Sequence, residues 1–542
     1  MIVANVLFAM VAIRLSVLGF ALCVALAGAA TPANAEPAPG MAGWIFDPSK
    51  VVVIDLTLSP SAEAELEAEP DEYVEGGFAI STTDGGPGAE EHLVASRSPV
   101  GIRLKGGANG SFRPLSGKAA FKVKFKQFEG GSKFEGLKKL TLNNMVEDFS
   151  LIHETLAYAA YRGAGLPASR TGYAFVRVNG DAYGVYLTVE DMDDVGLERW
   201  FGKFDDPQHL YEGEAGADVK PGADALPPGE GGFEVDEGDE ASLDDLKALI
   251  AAVNSTEGEG WSAAVAPVAD LAELTRMWAV EKYVGHWDGY AGKAGAFQPN
   301  NYFLYSDPLG VFQMIPWGTD ETWERRLAFD EPAGLMFNRC LADPACEALY
   351  KKELRFAGRT IAGLNLGSLG EAEAELLEPW EEVDPRLEQP GLVEEAVVEA
   401  LSFVADRPRE VEEWLGPEPV AAPASEAPVA AVQPRLESPA EARMKIHSIH
   451  AAARGLTTRL RVSMAGQVKQ TATVRTTGGT VKACSVQASA PEAGDMTLGC
   501  DLSKEARRRS RARWLRLEVR THFAPQEGEA ETLTRRVFLP RG

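Results

Sequence analysis

The chain has 542 residues, 45% hydrophobic and 25% charged, a globular composition that excludes a wholly disordered or collagen-like protein and suits roughly two to four domains. Its 53 Lys+Arg against 80 Asp+Glu give a net charge of -27, which argues against a surface built throughout for nucleic acid or anionic lipid. The charge is uneven: residues 441–542 hold 19 Lys+Arg and 9 Asp+Glu, a net +10, so residues 1–440 carry -37.

In residues 1–35 Arg14 precedes an apolar run and Ala33-Asn34-Ala35 ends it, the pattern of a signal peptide cleaved after Ala35 that exports the chain to the periplasm, cell surface or medium; the alternative is an uncleaved N-terminal anchor. No later stretch has the ~18 apolar residues of a membrane span, so the cleaved chain is not expected to be an integral membrane protein. In an oxidising compartment, Cys340 pairs with Cys346 and Cys484 with Cys500; zinc is the alternative, but no Cys-x2-Cys spacing supports it.

Strands are expected at 51–56, 101–105 and 119–125, the last with Phe121, Val123 and Phe125 alternating with Lys122 and Lys124, so both ammonium groups leave the core face. A helix is expected over 148–163 with Asp148 or Ser150 as N-cap, carrying Glu154. A hairpin follows at 173–189 around Asn179-Gly180. Residues 212–240, rich in Gly, Pro and acids, are expected to be a solvated loop without the order of a calcium site. Ser242 with Asp245 should cap one helix, and Asp270 a second that delivers His286-Trp287-Asp288-Gly289. A second hairpin over 300–317 has acids at both ends, Asp288 and Asp320, a placement that packing alone explains poorly; His286, Trp287 and Trp317 are assigned to the core. Helices fill most of 343–416, residues 417–440 form a Pro/Ala-rich linker, and 441–542 suggest a small, basic, Ig-like β-sandwich.

Hydrolase, metalloprotease and P-loop signatures are absent. The order of a glycine-containing bend, a strand lysine, a helix glutamate, a hairpin, an Asp loop with Asn and a final Asp is the order of parts in a protein kinase. The strings Lys118 to Phe125, Leu151 to Tyr158, Arg162 to Ala168, Val178-Asn179-Gly180 with Gly184-Val185-Tyr186, and Asn300-Asn301-Tyr302 with Ile315 to Asp320 together resemble the CotH family of atypical kinases over about residues 45–416. The resemblance implies an α+β, protein-kinase-like domain that transfers the γ-phosphate of ATP with Mg2+ to Ser/Thr of secreted or surface proteins. One departure is Gly318, where many members carry the first Asp of Trp-Asp-x-Asp.

Carried onto this chain, the family's roles give Lys124, with Lys122 as its rival, to the α/β-phosphates and Glu154 to holding that lysine. Asp288 orients or deprotonates the acceptor hydroxyl; Asp320 and Asn301, with Asn300 as alternate, bind Mg2+. Arg103, Lys105 and the amides of Gly106, Gly107 and Gly110 border the phosphates. The competing expectation is a catalytically idle kinase-like fold acting in surface adhesion or assembly. In either case the basic C-terminal domain, with its Arg507–Arg513 run in a loop, could dock to an anionic cell-surface polymer; no nucleic-acid partner is expected.

Overall fold

The structure, a computed structural model, describes residues 42–106, 110–202, 208–213, 216–292, 298–417, 444–452, 455–476, 479–510, 515–526 and 530–539. The expected signal peptide, Gly107, Arg511, Arg513 and nearly all of the expected linker lie outside the described residues.

The first part runs β1 (Val51–Leu58), α1 (Pro60–Ala68), β2 (Val74–Thr83), β3 (Glu91–Lys105), β4 (Ala120–Lys124), β5 (Lys139–Asn143), α2 (His153–Gly163), β6 (Thr171–Val178) and β7 (Asp181–Val189). The seven strands close a barrel in the order β1-β2-β3-β4-β5-β7-β6, sealed by a parallel pairing of β1 with β6. Strand alternation decides which side chains fill it. Phe121, Val123, Ile102, Leu140 and Leu142 point inward to one core, whereas Lys122 and Lys124 lie on the outer face, only partly buried. The β6–β7 hairpin turns at Asn179-Gly180, both with positive φ.

The second part holds α3 (Asp194–Phe201), β8 (His209–Gly213), β9 (Glu234–Glu237), α4 (Asp244–Val253), α5 (Trp261–Val265), α6 (Leu271–Val284), β10 (Tyr302–Ser306) and β11 (Phe312–Pro316). Four of these strands form an antiparallel sheet, β11-β10-β8-β9. The expected loop over 212–240 is therefore corrected: it supplies the end of β8 and the whole of β9, and its Ala217, Val219, Ala223 and Phe233 are buried in the main core. Asp270 caps α6 as expected, its carboxylate accepting the N–H groups of Ala272 and Glu273. Asp245 does not cap α4; it accepts hydrogen bonds from Tyr211 at 2.6 Å and lies 2.9 Å from His209. Helices α7 (Leu335–Ala342), α8 (Pro344–Gly363), α9 (Leu366–Glu381) and α10 (Val393–Leu415) complete this part, with Cys340 and Cys346 bridged between α7 and α8.

The last part holds β12 (Met444–Ala452), β13 (Gly455–Val462), β14 (Gly466–Thr476), β15 (Gly479–Ala490), β16 (Gly494–Asp501), α11 (Lys504–Ser510), β17 (Leu515–Pro525) and β18 (Glu531–Leu539). Its sheets, β12-β13-β16 and β15-β14-β17-β18, share apolar cores, and Cys484–Cys500 joins one to the other. Part of the expected arginine loop is a helix: Ser503 Oγ accepts the Ala506 N–H, and Glu505 pairs with Arg508 and Arg509 one turn on. The architecture as a whole is mixed α and β.

Candidate active site

The site grows from four chain segments that meet beside the C-terminal ends of barrel strands β3 and β5. At the start of α2, Asp148 accepts the N–H groups of Ser150, Leu151 and His153 at 2.9, 3.0 and 2.7 Å. The helix itself begins at His153, later than the expected cap. This arrangement presents two neighbours in opposite roles. His153 Nδ1 lies 3.0 Å from the backbone oxygen of Asp320, while Glu154 accepts a hydrogen bond from the side-chain amide of Asn143 at the end of β5. The Trp323 indole N–H adds a second tie, donating to the His153 carbonyl at 3.2 Å.

Asn143 is a two-sided bridge. Its amide nitrogen serves Glu154 and its oxygen accepts from Lys105 Nζ at 3.4 Å. Lys105, the last residue of β3, also opposes the buried charges of Asp320, Glu154 and Glu147. Burial, then Asp320, pushes the Glu154 carboxyl up to about 8, and burial with Asp320 and Asp288 pushes Glu147 to about 7. Asp320 itself is raised, by burial above all.

Asp288 lies on the loop after α6, and that loop is shaped from inside the helix. Glu281 accepts the N–H groups of Tyr290 and Ala291 at 2.9 and 2.8 Å, and a Cβ on Gly289 would come within 2.5 Å of Glu281 Oε1, so only glycine lets the loop close down on it. Buried His286 lies 3.1 Å from the Gly318 carbonyl and 3.3 Å from the Tyr161 hydroxyl; desolvation pulls it down to about 4, which keeps it neutral and structural. The Asp288 carboxylate accepts from Asn300 at 3.1 Å and Asn301 at 2.7 Å, and burial raises its pKa despite these bonds. Two described glycines flank this group's approach from β3: a Cβ on Gly110 would sit 2.0 Å from Glu147 Oε1, and Gly106 turns the chain with φ +96°.

The structure thus brings together Lys105, Glu154, Asp288, Asn300, Asn301, Asp320 and Gly110, and places the other expected cations elsewhere on the same barrel face. Lys124 Nζ lies over the Tyr73 ring at 5.3 Å, where Arg103 also stacks, and Lys122 pairs with Asp191 at 3.4 Å. Trp317, assigned to the core from sequence, is partly buried, with Lys105 and Lys122 at 6.0 and 5.8 Å from its ring. Sequence reasoning missed Asn143 and Glu147. The available signal was the Asn143-Asn144 pair ending an apolar strand, polar residues in a position whose neighbours are all buried.

Chemically, one ammonium group faces several carboxylates whose pKa values are raised by burial first and by other carboxylates second. Among the described residues no three His, Cys, Asp or Glu side chains form a ready-made metal group. The donor set of Asp320 and an asparagine amide oxygen instead suits a hard cation that brings most of its own oxygen ligands, as Mg2+ on a polyphosphate does.

Residues 102–355 match the family described as CotH kinase protein. The chain is 25% identical over 236 residues to Inner spore coat protein H of Bacillus subtilis (strain 168), a match that covers 41% of this chain and 61% of that protein. It is 33% identical over 73 residues to Inner spore coat protein H-like protein of the same organism, covering 14% of this chain and 24% of that protein. The chain therefore spans less than two thirds of the length of these curated relatives.

Proposed function

We propose, from the match of residues 102–355 to the CotH family and the likeness to Inner spore coat protein H, that this chain is an atypical kinase that moves the γ-phosphoryl group of ATP, with Mg2+, to Ser/Thr hydroxyls of secreted or surface proteins. The observation that carries the reading is the bridge Lys105–Asn143–Glu154 set beside Asp320, a lysine held by a helix glutamate next to a metal-type carboxylate. In this reading Lys105, rather than Lys124, meets the phosphate oxygens. Asp320 and the Asn301 amide oxygen would hold the cation, whose chemistry is neutralisation of the charge that develops on the transferred group. Asp288 orients the acceptor hydroxyl and takes its proton as the new P–O bond forms and the bond to the leaving phosphate breaks; its raised pKa suits it to that acceptance. Trp317 offers an aromatic plate between two lysines for the nucleotide.

Export is part of the proposal, resting on residues 1–35; the two disulfides suit an oxidising compartment. The protein-kinase-like and Ig-like descriptions of the two folded parts, and an anionic surface polymer as partner of the second, are likewise proposals. Gly318 favours the competing reading of an idle assembly protein, since it lacks the carboxylate that the family pattern carries there.

The test is transfer of label from γ-labelled ATP by the full chain, with thermal melting alongside. A binder at 100 times Kd gains about 2.7 kcal/mol of stability. Mg-dependent stabilisation with transfer, lost in Asp288→Asn and Asp320→Asn, supports the kinase. Wild-type label transfer in both variants would refute these assignments, and absence of ATP-dependent stabilisation would favour the assembly role.

A further inference from the structure

Two of the motif fragments that carry the family resemblance converge on one carboxylate that lies outside the matched residues 102–355. Asp384, in the connection between α9 and α10, pairs with Lys118 at 2.7 Å, both side chains fully buried. It also accepts the Val185 N–H at 2.9 Å, and a Cβ on Gly184 would come within 1.9 Å of its Oδ1, so Gly184 is what lets the carboxylate dock on β7. Tyr186 donates to the Ala119 carbonyl at 2.7 Å beside the same lysine. These motif residues are thus explained by docking, not by chemistry at the site.

The same connection grips the glycine-containing bend twice more. Glu388 takes a bidentate pair from Arg113 at 2.6 and 2.8 Å, and Arg113 in turn donates to the Gly110 carbonyl at 2.6 Å. Arg386 donates to the Leu115 carbonyl at 2.7 Å and to that of Gly117, and stacks on Tyr183 at 3.4 Å. From the other side, Asn144 donates to the Ser111 and Lys118 carbonyls at 3.0 and 2.7 Å. Residues 110–118 are therefore held between barrel and helical connection, with Gly110 pressed on Glu147.

We infer that residues 384–388 are a clamp that fixes residues 110–118 against Glu147 at the site, and that Arg386 and Glu388 are positioning residues for nucleotide binding although they lie beyond the family-matched segment. The clamping statement stands on these contacts alone; its effect on nucleotide rests on the kinase reading.

The buried Lys118–Asp384 pair is unsuited to a test, because breaking it leaves an unpaired buried charge and threatens the fold. Arg113 and Glu388 are partly exposed, so their variants should fold, which thermal melting checks. In ligand-free full-length protein, Glu388→Gln and Arg386→Ala should speed amide hydrogen exchange across 110–118 while leaving β6 and β7 unchanged. The Kd for Mg-ATP should rise roughly tenfold, the size of one lost charge-assisted hydrogen bond, with the charge swap Arg113→Glu plus Glu388→Arg restoring both readouts toward wild type. Unchanged exchange in both single variants overturns the clamp. Failure of wild-type protein to bind Mg-ATP overturns the kinase reading instead, while the exchange measurement still decides the clamp.

Discussion

Gly318 makes room for Asn301: a Cβ on Gly318 would lie 2.6 Å from Asn301 Oδ1, and Gly318 itself has φ +49°. The asparagine cannot simply swing away, because its amide nitrogen is held by Asp288 at 2.7 Å. The glycine in the family's Asp position is therefore matched to its neighbour. Restoring the family pattern with Gly318→Asp should cost about 1–3 kcal/mol, from the left-handed backbone and the overlap together, and lower phosphoryl transfer rather than raise it. Melting temperature and labelled-ATP transfer of Gly318→Asp and Gly318→Ala check this; a gain of activity in the Asp variant would show that the glycine is a loss and not a fit.

Lys105 and Lys124 occupy the same barrel face but meet different partners, the Glu154 bridge and the Tyr73 ring. Lys105→Met should reduce kcat/KM for transfer roughly 100-fold or more, as removal of a group that stabilises the transition-state charge does. Lys124→Met, which relieves repulsion from Lys139 and Lys138, should stay within a few-fold of wild type. The reverse order would return the phosphate role to Lys124.

What could be read from the sequence follows from the range of the forces involved. Local patterns were legible: the Phe121/Val123 alternation, the Asn179-Gly180 turn and the Asp270 cap all act within a few residues. Both cysteine pairs, 6 and 16 residues apart, were also legible, as neighbours in the chain. Barrel closure was not, because β1 meets β6 across more than a hundred residues of chain. Alternation also gives a face without a distance. It placed Lys122 and Lys124 outside the barrel but could not say that Lys105, at a strand end, is the cation linked through Asn143 to Glu154. The Gly- and Pro-rich composition of 212–240 hid β9, whose pairing with β8 is made by the backbone.

The basic C-terminal part gives a separate prediction. Its arginine run is less free than the sequence suggests, since Arg508 and Arg509 share Glu505, whereas Arg459, Lys469 and Lys482 are exposed on strands. If this part tethers the protein, the full chain should bind an anionic polymer such as polyphosphate at low salt. It should release at high salt, where the Debye length falls from ~10 Å at 0.1 M to ~3 Å at 1 M. Changing Arg459, Lys469 and Lys482 to Ser should weaken binding more than changing Arg508 and Arg509. Binding indifferent to salt and to both sets of substitutions removes the electrostatic tether.

The carboxylates of the site set a pH dependence whose sign can be worked out. Glu154 is raised from 4.5 to about 8 and Glu147 to about 7, each by burial first and then by Asp320. Between roughly pH 4.5 and 8, therefore, the folded protein holds protons that the unfolded chain has released, so the contribution of these groups is full below the unfolded value and is lost as pH rises through the folded one. In EDTA the protein should melt at a higher temperature at pH 5.5 than at pH 8. Net self-repulsion of an acidic chain acts in the same direction, so the slope alone does not identify the site. Glu154→Gln supplies the separation: a neutral isostere next to Asn143, Asp320, Asp148 and Lys105 keeps the packing and removes one titrating group, and its melting temperature should fall less steeply over that window. Addition of Mg2+ with ATP should stabilise the wild type more at pH 8 than at pH 5.5, because a cation site requires the ionised carboxylates that the ligand-free fold disfavours. An identical slope in Glu154→Gln, with Mg-ATP stabilisation that does not grow with pH, would show that Glu154 and its neighbours are ionised in the folded protein and that their charge is balanced by groups other than Lys105.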